Sequence, residues 1–363
     1  MREVLFLAHR IPFPPDRGDK IRSFHIVQRL CQFARVHIAT FADDEADAAH
    51  EAGMLRALGD RVVSSTVIVR KRSKAASVLA GFASGRSASM EAFASSGMRR
   101  AVANLLRQDG IASIFAFSGQ MSQYVQEERG KTRFVMDFVD VDSAKFESYA
   151  DDARTPLRWL YRREAALLAR EEASVAARAD VSLFVTEAEA GLFRARSGLG
   201  DRPIEALENG VDLAFFDPAA VVPEPTSGAP LLVFSGQMDY APNVQAVTHF
   251  AQAILPRIRD VRAGARFAIV GRNPAPAVQA LGAHAGVQVV GAVADMRPWL
   301  AAADVVVAPL QVARGVQNKV LSGRRRYIRA HRCASVSRVF PSRRHRRLSY
   351  LPAAALVPTA FRT

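Results

Sequence analysis

The sequence predicts an α/β fold with two domains, each built on a parallel sheet. Three observations support this. The chain has 363 residues, 49% of them hydrophobic, which is enough to fill two cores. Short apolar runs alternate with amphipathic helical stretches, as in sheets whose parallel strands are joined by helices. The alternation stops at a loop rich in Pro and Ala, residues 217–230, and then starts again.

Residues 1–216 form the predicted N-terminal domain. Its apolar runs are bounded by polar residues or by Gly and Pro, which is typical of strands. The predicted strands are Val4–Ala8, Val36–Phe41, Val62–Val69, Ile111–Phe117, Arg133–Phe138 and Val181–Val185. Apolar residues recur at helical spacing in Asp19–Phe33 and Arg158–Arg178, so both stretches are predicted helices.

Residues 231–321 repeat the pattern on a smaller scale. The predicted strands are Leu231–Ser235, Arg266–Val270, Val287–Val289 and Asp304–Ala308. The predicted helices are Asn243–Arg259, Pro276–Ala283 and Met296–Ala302. A doubly wound domain usually has about five or six strands, so we expect this C-terminal domain to be incomplete.

Residues 322–363 differ in composition from the rest. They contain eleven Arg and no Asp, Glu or Lys, and without them the net charge falls from +14 to +3. Nucleic acid is not the expected partner, because this segment has few aromatic platforms and no helical stripe. Out-of-frame reading of GC-rich DNA gives such a composition. We therefore expect this tail to come from a shifted reading frame.

Two strands of the second domain end in glycine, which lets a ligand approach the backbone closely. Gly236 follows the first of these strands, and Asn243 lies where the next helix begins. Gly271 follows the second strand, and Arg272 follows it directly as a candidate phosphate clamp. The segments match neither a P-loop nor the GxGxxG fingerprint. Together they predict a diphosphate site.

Two further loops are candidates for ligand contact. Gly18, Asp19 and Lys20 begin the first helix and could face a phosphate or a hydroxyl group, although an ordinary turn before a helix explains them as well. The other loop contains Asn209, Gly210 and Asp212, at the predicted junction of the domains, where either a hinge turn or a ligand contact fits.

Asp140 and Asp142 follow the fifth strand and resemble the DxD motif of some sugar transferases. The favoured interpretation is that one of the two carboxylates caps a helix and the other is solvated. Alternation along an extended segment would turn the two side chains to opposite faces, which disfavours a metal chelate. No other cluster has metal-ligand spacing, so no metal site is predicted.

A basic cluster precedes an apolar helical stretch in the first domain. Its members are Arg70, Lys71, Arg72 and Lys74. Such a pairing is usually a solvated surface, but it also suits peripheral contact with an anionic membrane.

Several segments in combination carry a family resemblance. They are Phe6–Pro12, Gly18–Arg22, Asp137–Ser143, Asn209–Asp212, Gly236–Asn243, Asp295–Leu300, Asp304–Leu310 and Gly315–Leu321. In these segments the chain resembles GT-B-fold glycosyltransferases of the family-4 type. More narrowly, it is similar to the sugar transferases associated with exosortase (PEP-CTERM) systems. The resemblance covers residues 1–321 and ends after Leu321.

The resemblance implies two Rossmann-like domains facing a central cleft, the C-terminal one truncated. It implies a retaining, metal-independent transferase that needs no cofactor. A nucleotide-sugar donor would give its sugar to a glycan or lipid-linked acceptor in exopolysaccharide or surface-glycan biosynthesis, in the cytoplasm or at the inner face of its membrane. The donor diphosphate would lie near the Gly236 loop and near Gly315, Asn318 and Lys319. There a cation would stabilise the leaving group, and Asp140 or Asp142 would orient the acceptor hydroxyl.

Two departures from the family pattern stand out. A family histidine after the fourth strand is replaced within Phe117–Gln120. The family continues after Lys-Val-Leu with a helix whose Glu binds the donor ribose, whereas Ser322–Arg324 stands here. Weak activity is therefore expected of this copy.

The alternative is a non-catalytic binding protein whose Arg-rich tail contacts nucleic acid or an anionic membrane. Salt-dependent binding that is lost on deleting residues 322–363 would identify it.

Overall fold

The structure, a computed structural model, describes residues 2–310 except 109, 127–129, 211, 213–214 and 225–227. The described residues form two compact units, one ending at Glu208 and the other beginning at Asn209. The predicted linker at 217–230 lies in the second unit. The predicted tail at 322–363 lies outside the described residues.

The first unit contains a seven-stranded parallel sheet in the order β3-β2-β1-β4-β5-β6-β7. Its strands are β1 (Glu3–Ala8), β2 (Arg35–Ala42), β3 (Val62–Val69), β4 (Ile111–Phe117), β5 (Arg133–Val139), β6 (Val181–Phe184) and β7 (Ile204–Ala206). The six predicted strands are confirmed, each end within one residue. No strand was predicted at β7, which has only three residues.

Helices join these strands. They are α1 (Gly18–Leu30), α2 (Glu45–Ala48), α3 (Glu51–Leu58), α4 (Lys74–Ser84), α5 (Ala88–Glu91), α6 (Ser96–Leu106), α7 (Asp142–Asp152), α8 (Leu157–Arg178) and α9 (Glu187–Ser197). A 3₁₀ segment, Gly119–Tyr124, follows β4.

Both faces of the central strands are buried. Successive side chains of a strand point to opposite faces, and in β1 Leu5 and Leu7 belong to one apolar cluster while Val4 and Phe6 belong to the other. Each fully buried side chain of this size contributes roughly 1.5–3 kcal/mol relative to an exposed one. Burial on both faces explains why the strands read as continuous apolar runs.

The second unit has a parallel sheet of four strands among the described residues, in the order β10-β9-β8-β11. They are β8 (Leu231–Ser235), β9 (Arg266–Val270), β10 (Val287–Gly291) and β11 (Val305–Val306). The helices are α10 (Ala241–His249), α11 (Leu255–Val261), α12 (Pro276–Ala280) and α13 (Arg297–Ala302). The α/β class with two parallel sheets is thus confirmed.

The predicted helix Asn243–Arg259 is not one regular α-helix. A π-helical turn, Phe250–Ile254, joins α10 to α11. The apolar periodicity did not reveal it, because a π turn adds only one residue to the repeat. Among all the described helices, none combines the length and the apolar character needed to cross a bilayer.

Candidate active site

The strand order of the first unit reverses between β1 and β4. In open α/β sheets, ligands bind at the carboxyl ends of the strands at such a reversal, because the following loops diverge there. His9 and Arg10 follow β1, and Ser118–Gln120 follows β4. Asp140 and Asp142 follow β5, the next strand in the sheet.

A small pocket lies at this edge of the sheet. Its walls come from the segments after β4 and β5, from α5 and from the middle of α8. It is lined by Met90, Gly119, Gln120, Ser122, Phe138, Asp140, Asp142, Leu168, Glu171, Glu172 and Val175. Asp140 and Asp142 therefore line the same pocket. The expectation of opposite faces was wrong, because Asp142 is already the first residue of α7 and the chain turns before it.

Strained backbone shapes both strand ends beside the pocket. Ser118 has φ +75° and Val139 has φ +71°. Left-handed backbone is rare for non-glycine residues and costs about 1–3 kcal/mol, most clearly for β-branched ones. Asp137 holds both: its carbonyl accepts from the Ser118 N–H at 2.8 Å, and its carboxylate accepts from the Val139 N–H at 3.1 Å.

Arg22 of α1 fixes that Asp137 carboxylate. Its Nε and Nη2 donate to the two carboxylate oxygens at 2.9 and 3.2 Å, and both side chains are buried. Its Nη1 donates to the carbonyl of Leu207 at 2.6 Å. One guanidinium thus ties α1 to β5 and to the chain after β7.

Asp140 has the acid–base character that proton transfer requires. Burial raises its pKa to about 6. Lys145 opposes the rise, whereas the carboxylates of Glu189 and Asp142 add to it. A carboxyl group with this pKa is largely ionised at pH 7 and can still accept a proton.

Asp142 has two partners at the pocket wall. Lys145 Nζ, one turn along α7, pairs with its Oδ1 at 2.5 Å. Gln120 Nε2 lies 3.4 Å from its Oδ2. Gln120 occupies the region where the family resemblance expects histidine, and here it supplies a neutral amide beside the carboxylate.

Sequence reasoning missed Glu172. Its carboxylate accepts from the Ser143 N–H at 2.9 Å and from the Ser143 hydroxyl at 2.6 Å. Burial raises its pKa to about 7. A signal existed in the sequence, because Glu172 shares the buried stripe of α8 with Leu168 and Val175 at helical spacing.

The loop after β1 carries the predicted Gly18, Asp19 and Lys20. Gly18 begins α1. Asp19 lies 3.0 Å from Arg10 Nη1 and 3.4 Å from His9 Nε2. Burial alone would raise the pKa of its carboxyl group, but these neighbours outweigh burial and lower the pKa. Lys20 is buried and pairs with Asp47 at 2.5 Å.

His9 was also missed by sequence reasoning. It stacks on Phe117 at 5.7 Å, and burial lowers the pKa of its ring. Its Nε2 lies 3.0 Å from Arg10 Nη1, and its buried Nδ1 has no hydrogen-bond partner among the described residues.

Two members of the predicted basic cluster have carboxylate partners. Arg70 Nη2 lies 2.6 Å from Asp43 Oδ1, and its guanidinium stacks on Phe93 at 4.7 Å. Arg72 pairs with Glu91 at 2.5 Å. Lys71 is exposed. The structure gives no side-chain detail for Lys74.

The two glycine loops of the second unit touch each other. The Gly236 N–H donates to the Val270 carbonyl at 3.1 Å. A Cβ at Gly271 would lie 1.6 Å from the Gly236 carbonyl oxygen, so only glycine fits. The Arg272 carbonyl accepts from the Met238 N–H at 2.9 Å.

Asn243 holds the same loop from the helix side. It is buried, and its amide donates to the Gln237 carbonyl at 2.8 Å. Gly236, Gly271, Arg272 and Asn243 are therefore gathered at the carboxyl edge of β8 and β9. Gly236 and Gly271 are both partly exposed at this edge.

The remaining predicted positions have local roles or lie outside the described part. Asn209 and Gly210 begin the second unit. Asp212 accepts from the Phe215 N–H at 2.9 Å, which caps a turn. Gly315, Asn318 and Lys319 lie outside the described residues. Within the described part of the chain, no group of three or more His, Cys, Asp or Glu is arranged to hold a metal ion.

Comparisons with known proteins find one matching family model and several similar solved structures. Residues 229–323 match the family model of glycosyl transferases group 1. HepE from Anabaena, solved with UDP and glucose, aligns over 89% of this chain and 78% of its own, with TM-score 0.58 and 12% identity. Trehalose 6-phosphate synthase from Burkholderia multivorans aligns over 89% and 82%, with TM-score 0.57 and 11% identity.

Sucrose-phosphate synthase from Thermosynechococcus elongatus aligns over 85% of this chain and 76% of its own, with TM-score 0.54 and 15% identity. No curated protein matches the sequence significantly. The chain therefore has the GT-B fold, and its residues 229–323 match glycosyl transferases group 1.

Proposed function

We propose that the chain is a glycosyltransferase that moves a sugar from a nucleotide-diphosphate sugar to a hydroxyl group of a glycan or lipid-linked acceptor. The observation that carries this proposal is the match of residues 229–323 to glycosyl transferases group 1. The matched residues belong to the second unit, whose loops at Gly236 and Gly271 are the candidate diphosphate site.

The donor is assigned to the second unit. Gly236 and Gly271 lie partly exposed where two strands end, and glycine lets a diphosphate approach such a strand end closely. Arg272 and Lys319 would supply cations for the charge that develops on the leaving diphosphate. HepE was solved with UDP-glucose, which supports a UDP-sugar as the first donor to test.

The acceptor is assigned to the pocket of the first unit. In the reaction the bond from the anomeric carbon to the diphosphate breaks, and a bond to the acceptor oxygen forms. The acceptor hydroxyl loses its proton. Asp140 supports this step, because its buried carboxyl group has a pKa of about 6 and can orient the hydroxyl or take the proton.

The finer assignment depends on the sequence resemblance alone. It consists of a family-4 transferase of the exosortase-associated type, acting with retention and without a metal in exopolysaccharide synthesis at the cytoplasmic side of the membrane. Because Ser322–Arg324 stands where the family has its ribose-binding Glu, we propose a donor affinity below that of a relative with this Glu.

Donor titration of the full chain tests the proposal. UDP-, GDP- and dTDP-sugars are titrated by calorimetry, and nucleoside diphosphate release is then followed with mixed glycan and lipid-linked acceptors. We expect one donor class to bind and to release its diphosphate. Absence of binding across the panel would contradict the function, and tight binding would contradict only the weak-affinity proposal.

A further inference from the structure

An exposed apolar face lies where α4 meets the beginning of α8. We call it the α4–α8 face and define it by Leu79, Phe82, Leu157 and Trp159. Their exposed fractions are 71%, 43%, 52% and 59%. The rings of Phe82 and Trp159 stack at 5.7 Å with an interplanar angle of 6°. Leu79 precedes Phe82 by one helical turn and so lies on the same side of α4.

The face is held by buried contacts behind it. Arg163 Nη2 donates to the Gly81 carbonyl at 2.8 Å, and its guanidinium lies 4.3 Å from the Phe82 ring centroid. The buried Glu164 carboxylate accepts from the Ala88 and Ser89 N–H groups, both at 2.8 Å. The aromatic pair is therefore presented by a fixed scaffold rather than by a loose loop.

The surrounding charge is mostly positive. Residues 61–90 contain six Lys or Arg and no acid, and residues 153–163 contain four Arg and no acid. Of the acids next to these segments, Glu91 is buried against Arg72 and Arg86 and Glu164 is buried as described, whereas Asp60, Asp151 and Asp152 are exposed. Lys71, Arg154, Arg158 and Arg162 are exposed.

We propose that the α4–α8 face binds an anionic lipid surface, with its apolar side chains inserted at the headgroup level and the exposed cations paired with lipid phosphates. Trp is enriched at that depth because its ring is apolar and its N–H is polar. Apolar insertion flanked by basic residues is how interfacial helices hold membranes. Of the predicted cluster this surface uses Lys71, whereas Arg70 and Arg72 have carboxylate partners.

The face and the pocket share a helix. Leu168, which lines the pocket, follows Trp159 by nine residues in α8. At 1.5 Å per residue the two lie about 13–14 Å apart along the helix axis. A membrane-bound molecule would thus keep the pocket close to the lipid surface. Binding itself does not depend on the proposed transferase activity.

Fluorescence of Trp159 tests insertion directly. The chain has two Trp, so Trp299→Phe in the full chain leaves Trp159 as the only indole. Vesicles of phosphatidylglycerol and phosphatidylcholine in equal parts should shift its emission to shorter wavelength. Pure phosphatidylcholine should do so far less. Unchanged emission in a chain that sediments with anionic vesicles would assign binding to the Arg-rich tail and overturn the proposal.

Variants provide the matched comparison, because all of them keep the tail. Leu79→Ser with Leu157→Ser should weaken vesicle binding about tenfold. Val222→Ser with Val261→Ser removes two apolar side chains elsewhere that are even more exposed, at 85% and 75%, and should leave binding unchanged. Arg158→Gln with Arg162→Gln should weaken binding, whereas Arg56→Gln with Arg100→Gln should have a smaller effect.

Two further outcomes would overturn the proposal. In one, both serine pairs bind vesicles alike. In the other, analytical ultracentrifugation without lipid shows a dimer that Leu79→Ser with Leu157→Ser dissociates, which would make the face a contact between two copies of the chain.

Discussion

Arg22 and Asp137 form a bidentate, fully buried ion pair that connects α1 to β5. The same carboxylate accepts the N–H of the strained Val139, the residue before Asp140. The pair therefore fixes the end of β5, next to Asp140, relative to α1.

Arg22→Met should destabilise the protein by about 3–5 kcal/mol, because it leaves a buried carboxylate without its partner. Arg22→Met with Asp137→Leu should recover much of that loss, since removal of both charges relieves the desolvation penalty. Denaturant unfolding measures both. A single variant as stable as the parent would contradict the role assigned to the pair.

Gly271→Ala should destabilise the second unit by roughly 2–4 kcal/mol, because the added Cβ would overlap the Gly236 carbonyl oxygen and force backbone movement. Gly282→Ala is the matched control. A Cβ there meets only Val289 Cγ2 at 3.9 Å, so we expect little change. Thermal unfolding compares the two, and equal losses would contradict the close approach.

Asp140→Asn should lower turnover by about 10²–10⁴-fold if Asp140 accepts the acceptor proton. Donor affinity should remain unchanged. In the parent, turnover should rise with pH through about 6, where Asp140 loses its proton. Asp151→Asn, at an exposed position in α7, is the control. Full activity of Asp140→Asn would remove Asp140 from the mechanism.

Glu172 should make stability depend on pH. Its folded pKa of about 7 lies above its ordinary value near 4.5, so the folded state holds its proton more tightly than the unfolded state. The free energy of unfolding should therefore fall as pH rises from about 4.5 to about 7. Glu172→Gln should flatten that slope and add on the order of 1–3 kcal/mol at pH 8. An unchanged slope would contradict the raised pKa.

The sheet could be predicted from sequence because strands that are buried on both faces are continuously apolar, and this is visible in the local sequence. Runs such as Ile111–Phe117 are continuously apolar and end in polar or glycine residues. The glycine loops at Gly236 and Gly271 were equally visible, although their contact with each other was not. A local sequence pattern shows where a strand ends in glycine, but it does not show which other backbone segment packs against that glycine.

The pocket could not be predicted in the same way. Arg22 and Asp137 are 115 positions apart, and Ser143 and Glu172 are 29 apart, so only the fold brings them together. Arg70 and Arg72 look like a free basic cluster in sequence, yet Asp43 and Glu91 reach them from other elements. Partners of charged groups are set by tertiary structure, which periodicity does not encode.

The π turn between α10 and α11 has an evolutionary consequence. Phe250 packs against Phe267 at 4.5 Å, and the next deeply buried large residue is Leu255, five positions later, where a regular helix would place it after four. The turn therefore behaves as a one-residue insertion inside a helix. Alignments with relatives that have an uninterrupted helix need a single-residue gap within Phe250–Ile254. Loss of one residue there is the change in length that this helix would tolerate best.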